Sequence, residues 1–235
     1  MRTVLSWSLC LGASALASVV LAIGTLLTLG LRRHRMGSNV GRVWGRACLA
    51  MCGIELVVRG AERLQGERPR VLVINHSSTL DIPLVAALGA PRICPIAKAE
   101  LRWMLPINLA FWAVGTVFVE RGDRDRAIAS MNAVADKVRH QALTVLVSPE
   151  GTRSADGRLQ PFKRGPFHLA KASGAEVIPV VVHGAARCMP KGAWAIRPGR
   201  IVLDIQEPLP PPEDPRAASE TLHARYANWL AEGPA

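Results

Sequence analysis

A histidine followed five residues later by an aspartate, His76 and Asp81 in Asn75-His76-Ser77-Ser78-Thr79-Leu80-Asp81, has the residue types and spacing of a general-base pair. A carboxylate that holds one imidazole nitrogen leaves the other free to take a proton from a substrate hydroxyl. The plainer reading of these two residues is a solvated turn in which Asp81 caps the next helix. Two further stretches offer groups suited to an anion. In Ser148-Pro149-Glu150-Gly151-Thr152-Arg153-Ser154, Gly151 lets the backbone come close to a ligand, Thr152 supplies a hydroxyl and Arg153 a fork of donors matched to a phosphate. The plainer reading there is a polar loop with a glutamate-arginine surface pair. In Gly115-Thr116-Val117-Phe118-Val119-Glu120-Arg121 a strand ends in a cation, and Lys98 ends the strand before it. If Lys98, Arg121 and Arg153, with Lys163 as a fourth cation, converge with His76 at one sheet edge, they make an anion site rather than scattered solvated charges.

Convergence requires the strands that carry these residues to end at the same edge. Beyond residue 54, β-branched runs near 54–59, 70–75, 92–97, 116–120, 144–148, 176–182 and 200–206 alternate with helical patterns at 81–89, 99–113, 123–141, 165–173 and 215–231. Alternation of this kind predicts βαβ units and an α/β fold, a mostly parallel sheet flanked by helices. The runs Val71-Leu72-Val73-Ile74 and Val145-Leu146-Val147 are apolar on both faces, as central buried strands are. In such sheets ligands bind beyond the carboxyl ends of the strands, where His76 would stand. Pro106 should break or kink the 99–113 helix, and Gly174 should end the 165–173 helix.

Before this region, Val4 to Leu31 is a run of 28 residues without a charge, followed by Arg32, Arg33, His34 and Arg35. At ~1.5 Å per residue the run exceeds what a ~30 Å bilayer core requires, so a membrane helix is expected. A cleavable signal needs a shorter apolar core, and Ala13-Ser14-Ala15 lies inside the run rather than after it. Arg32, Arg33, Arg35, Arg42 and Arg46 outnumber Arg2 on the other flank, which predicts the remainder on the cytoplasmic face. The weaker amphipathic stretch Val40 to Ile54 reads either as an interfacial helix or as a helix of the core. The expected organisation is therefore residues 1–53 as anchor and interfacial helix, and 54–235 as a single catalytic domain.

Composition narrows the partners. Of 235 residues, 49% are hydrophobic and 20% charged, which excludes a disordered chain. The formal charge of +11 calls for an anionic partner. Many of the basic residues flank the apolar run, so lipid headgroups account for them better than nucleic acid. The five cysteines, Cys10, Cys48, Cys52, Cys94 and Cys188, form no C-x-x-C pair, so neither a disulfide framework nor a zinc ribbon is expected and a reducing compartment fits. His34, His140, His168, His183 and His223 have no partner at ligand spacing. The chain has no G-x-S-x-G and no P-loop, the signatures of a serine hydrolase and of a nucleotide-triphosphate enzyme.

Taken together, the ordered stretches resemble the 1-acylglycerol-3-phosphate acyltransferases and their relatives among the glycerolipid acyltransferases. The family block Asn-His-x-Ser-x-x-Asp is met by Asn75, His76, Ser78 and Asp81. Gly-x-x-Phe-(Ile/Val)-x-Arg is met by Gly115, Phe118, Val119 and Arg121. Phe-Pro-Glu-Gly-Thr-Arg-Ser is met from Pro149 to Ser154, with Ser148 where phenylalanine is usual, and the Val/Ile-Pro-Val core by Ile178-Pro179-Val180. The aromatic residue often found in the first block is Thr79 here.

The resemblance implies transfer of an acyl chain from acyl-CoA or acyl carrier protein to the free sn-2 hydroxyl of lysophosphatidic acid. The product would be phosphatidic acid, in phospholipid biosynthesis. It assigns His76 as general base and Asp81 as its orienting partner. Arg121, Arg153 and Lys98 hold the acceptor's phosphate, while Asn75, Ser78, Glu150, Gly151 and Thr152 complete the substrate-binding set. No metal or resident cofactor is expected. Two alternatives stay open: an acyltransferase of the same fold using another lysophospholipid or a lyso-aminolipid, to which Thr79 points, and a non-catalytic lipid-binding protein.

Overall fold

The computed structural model describes residues 2–98, 102–103, 107–119, 124–152 and 158–234. Seven strands form one sheet: β1 (Ile54–Arg59), β2 (Arg70–Ile74), β3 (Ile93–Lys98), β4 (Val117–Val119), β5 (Thr144–Val147), β6 (Glu176–His183) and β7 (Gly199–Ile205). They stand in the order β1-β7-β6-β2-β5-β3-β4. Every neighbouring pair is parallel except β6 with β7. All seven strands lie where the alternation of the sequence puts them.

Among the described residues the α-helices are α1 (Arg2–Leu27), α2 (Arg33–Met51), α3 (Asp81–Leu88), α4 (Ile107–Ala113), α5 (Arg124–Gln141), α6 (Gly165–Ser173), α7 (Ala185–Cys188) and α8 (Pro215–Glu232). α6 stops before Gly174 as expected. The helix expected over 99–113 is realised only as α4, which starts after Pro106; Arg102 and Trp103 lie in a 3₁₀ turn instead, and 99–101 and 104–106 lie outside the described residues.

The central strand β2 is buried at all five positions, and its alternating side chains feed two cores. Leu72 and Ile74 join Ile178, Val180 and Leu203 beneath α2 and α3. Val71 and Val73 join Val145, Val177 and Val181 against α5, α6 and α8. Pro179, paired with Val73, has no N–H for the ladder. Tyr226 enters at this point from α8, its hydroxyl donating to the Val73 carbonyl at 2.6 Å and accepting from Val180 N at 2.9 Å. Complete burial pushes the Tyr226 phenol up, so it stays protonated and keeps donating.

The N-terminal run forms α1, which ends at Leu27, four residues before the end of the uncharged run. A turn follows over 28–32, after which α2 returns against it. The span Thr3–Leu27 is long and apolar enough to cross a membrane, and Leu5, Leu9, Leu16, Ile23 and Leu27 are exposed on it. Polar side chains tie α1 to the rest of the chain: Ser6 Oγ donates to the Met51 carbonyl at 3.0 Å, Trp7 Nε1 to Trp194 O at 3.1 Å and Thr25 Oγ1 to Ala113 O at 3.1 Å. α2 begins seven residues before Val40, the start of the amphipathic pattern. It buries Gly45, Cys48 and Leu49 towards α3 and leaves Arg42, Val43 and Arg46 exposed. Its inner face thus packs into the core, while its outer face stays exposed.

Candidate active site

Leaving β2, the chain makes the turn 75–80 before α3. Asn75 continues the sheet by side chain where the backbone ladder stops. Its Nδ2 donates to the Val182 carbonyl at 3.0 Å and its Oδ1 accepts from Val182 N at 2.8 Å. That amide pair pins the start of the turn to β6.

The turn then folds around Asp81. This side chain is 2% exposed, and its Oδ2 accepts from Ser77 N and Ser78 N, each at 3.0 Å. His76 Nδ1 lies 2.6 Å from the same oxygen. A carboxylate oxygen already gathering two N–H groups can only accept, so Nδ1 carries the proton and donates, and Nε2 is the basic nitrogen. Asp81 is therefore no helix cap on a solvated turn; it is the buried centre of the turn.

Glu150 holds the turn from the other side. It is 4% exposed, its Oε1 accepts from His76 N at 2.6 Å, and its Oε2 accepts from Gln160 N at 2.9 Å. Burial pushes the Glu150 carboxyl above its ordinary value, and the two backbone donors pull it back. Arg153, the other member of the surface pair considered for this loop, lies outside the described residues.

Next to it, Gly151 has φ +72°, and a Cβ there would lie 2.7 Å from Lys163 Nζ. Glycine suits the left-handed backbone here, and the Lys163 side chain crosses the space a Cβ would take. Thr152 is exposed.

The sequence-assigned residues separate into three groups. His76, Asp81, Asn75, Glu150 and Gly151 come together at the ends of β2 and β5. Ser78 departs from its expected substrate contact: it is fully buried, its hydroxyl donates to Met189 O at 2.6 Å and accepts from Leu80 N at 3.1 Å. It shapes the turn, its hydrogen-bond partners among the described residues being backbone groups. Lys98 is the last residue of β3, its side chain lying outside the described structure, and Arg121 and Arg153 lie outside the described residues altogether.

A cleft of about 330 Å³ opens at this edge, with Asn75, His76 and Glu150 in its wall. Residues without an assigned role share it: Arg158, His183 and Arg187. Burial lowers the His183 pKa, against the opposing pull of Asp204. Isolated histidines and arginines have no motif, but His183 ends a strand and Arg187 follows it, and the carboxyl-edge rule could have found both. Among the described residues no cluster of histidine, cysteine, aspartate and glutamate could hold a metal ion.

Comparison with known proteins meets this geometry. A family described as Acyltransferase matches residues 55–183. The chain is similar to 1-acyl-sn-glycerol-3-phosphate acyltransferase alpha of Bos taurus, with 35% identity over 73% of this chain and 62% of that protein. It is likewise similar to the alpha protein of Homo sapiens, at 34% identity over the same shares. The beta protein of Homo sapiens is 31% identical over 89% of this chain and 73% of that protein. The matches thus span a little under two thirds of the alpha proteins. Among solved structures, the 1-acyl-sn-glycerophosphate (LPA) acyltransferase PlsC from Thermotoga maritima superposes with a TM-score of 0.78 at 25% identity, covering 100% of both chains.

Proposed function

The chain belongs to the Acyltransferase family, and from that premise we propose that it acylates the sn-2 hydroxyl of lysophosphatidic acid, using acyl-CoA or acyl carrier protein as donor and releasing phosphatidic acid. The observation that carries this reading is the His76–Asp81 pair, 2.6 Å apart with the imidazole in the wall of the cleft. Similarity to proteins named for this acceptor supports the choice of substrate.

The residues then act as follows. His76 Nε2 takes the hydroxyl proton as the oxygen forms a bond to the thioester carbonyl carbon. The Asp81 carboxylate stabilises the imidazolium that results. When the tetrahedral adduct collapses, the carbon–sulfur bond breaks and the thiolate leaves with the proton returned by His76. Asn75, Ser78 and Glu150 hold the turn that aims the imidazole, while Gly151 and Thr152 border the acceptor. Lys98, Arg121 and Arg153 bind its phosphate. No metal or resident cofactor takes part in this scheme. The chain works at a membrane, with α1 as anchor and, from the arginines that follow the apolar run, the catalytic domain on the cytoplasmic face.

The test is acyl transfer by the full chain in membranes, comparing lysophosphatidic acid with monoacylglycerol, another lysophospholipid and a lyso-aminolipid. Preference for lysophosphatidic acid that is abolished by H76A supports the reading. Transfer to another acceptor alone replaces the substrate, and activity retained by H76A removes the mechanism.

A further inference from the structure

The cleft runs on from His76 past His183 at the end of β6 to Arg187 on α7, with Arg158 also in its wall. β6 is the neighbour of β2 on one side, whereas β5, β3 and β4 lie on the other. His76, just beyond the end of β2, thus stands beside the end of β6 that leads on to Arg187. Both Arg158 and Arg187 are exposed.

The two faces of the sheet differ in what they meet. α1 and α2 lie on the side of the core built from Leu72, Ile74 and α3, where Trp7 and Cys10 pack. The cleft's further wall, Leu159 and Leu230, packs with the opposite core beneath α8. With α1 in a membrane, a lipid acceptor would reach His76 from the α1 face and leave the α8 face to a water-soluble donor. A transfer without a covalent enzyme intermediate needs both at His76 together.

Resting on the acyl-transfer reading, we propose that Arg158 and Arg187 bind the phosphate of the donor's phosphopantetheine arm, which enters the cleft from the α8 side and delivers its thioester to His76. Arginine forks match a phosphate with paired donors. The arm is common to acyl-CoA and acyl carrier protein, so the site reads chemistry that both donors share.

Titration of the full chain in lipid nanodiscs with 4′-phosphopantetheine and with pantetheine, which lacks the phosphate, tests the site directly. The unsubstituted chain is expected to bind the phosphorylated arm about tenfold more tightly, and R158Q/R187Q to bind the two alike. Equal binding by the unsubstituted chain, or a preference that survives both substitutions, overturns the proposal. This readout needs no turnover, so a chain that fails to acylate lysophosphatidic acid refutes the proposed function without deciding this site. Kinetics with the two donors then identify the carrier. R187Q raises KM for the donor that places its arm here and leaves KM for the acceptor unmoved, whereas unchanged donor KM for both carriers overturns the assignment.

Discussion

Glu150 Oε1 stands 2.6 Å from the backbone nitrogen of His76, while the other oxygen of the same carboxylate takes Gln160 N at 2.9 Å. One buried side chain thus joins the turn after β2 to the segment before α6 and fixes the backbone that carries the base. Glutamine at 150 keeps the shape but presents an amide NH₂ to one of those N–H groups. E150Q is expected to slow acyl transfer about tenfold or more. Burial raises the folded-state pKa of Glu150, so its contribution to stability is full below pH 4.5 and is lost as pH rises through the raised value. Thermal unfolding of E150Q and the unsubstituted chain between pH 4 and 7 should therefore show the variant gaining relative stability as pH rises.

Asp81 both organises the turn and holds the proton on His76 Nδ1. In D81N the side-chain oxygen still accepts from Ser77 N and Ser78 N, but the charge that stabilises the imidazolium is gone. The expected result is a fall in kcat of about 10²- to 10⁴-fold with little change in unfolding temperature. An equal loss of activity and stability would show that the residue is structural only.

Removing the Asn75 amide strips the Val182 N–H and carbonyl of their partners in a buried strand end. N75A should destabilise the protein by about 2–4 kcal/mol, read by chemical denaturation. Activity should fall with it, because the turn that carries His76 begins at this residue.

His34, at the start of α2, is 6% exposed and donates from Nδ1 to Ile93 O at 3.2 Å. Burial lowers its pKa to about 4, with the Ile93 carbonyl opposing. The unfolded chain takes up the proton first, near pH 6.5, so the stability that His34 supports is intact above that pH and lost as pH falls towards 4. The loss should be about 3 kcal/mol by pH 4. H34Q, which cannot titrate, should flatten the pH dependence of thermal unfolding over this window.

Gly45 is the point where α2 meets α3. A Cβ there would lie 2.6 Å from Ala87 N and still closer to the Pro83 carbonyl, both of them backbone atoms that cannot swing aside. G45A is expected to cost about 1–3 kcal/mol and to loosen α2 from α3, seen as faster proteolysis at the 28–32 turn. G41A, whose nearest contact would be 3.8 Å from the Ala86 methyl, is the matched control.

How much of this was legible in the sequence depended on whether the signal was local. The strands were readable because β-branched runs and turn residues recur along the chain, and each falls in the sheet where its run lies. The His76–Asp81 pair was readable because five residues of one tight turn bring its members together without help from elsewhere. The arrest of the first helix at Leu27 was not, because hydropathy continues unbroken to Leu31 while the backbone turns to let α2 fold back. Whether Pro106 breaks the preceding helix falls outside the described residues, which resume at Ile107.

By itself the sequence determined the α/β alternation, the apolar N-terminal helix and the His76–Asp81 pair, all set by periodicity and short spacing. Only the tertiary structure decided what crosses long stretches of chain. It placed Glu150 against His76, Ser78 against Met189 rather than a ligand, Tyr226 in the ladder gap left by Pro179, and Arg187 in the wall of the cleft. Pairings of that kind follow from strand order and from burial, which leaves each polar group to find whichever partner the packed core brings within reach.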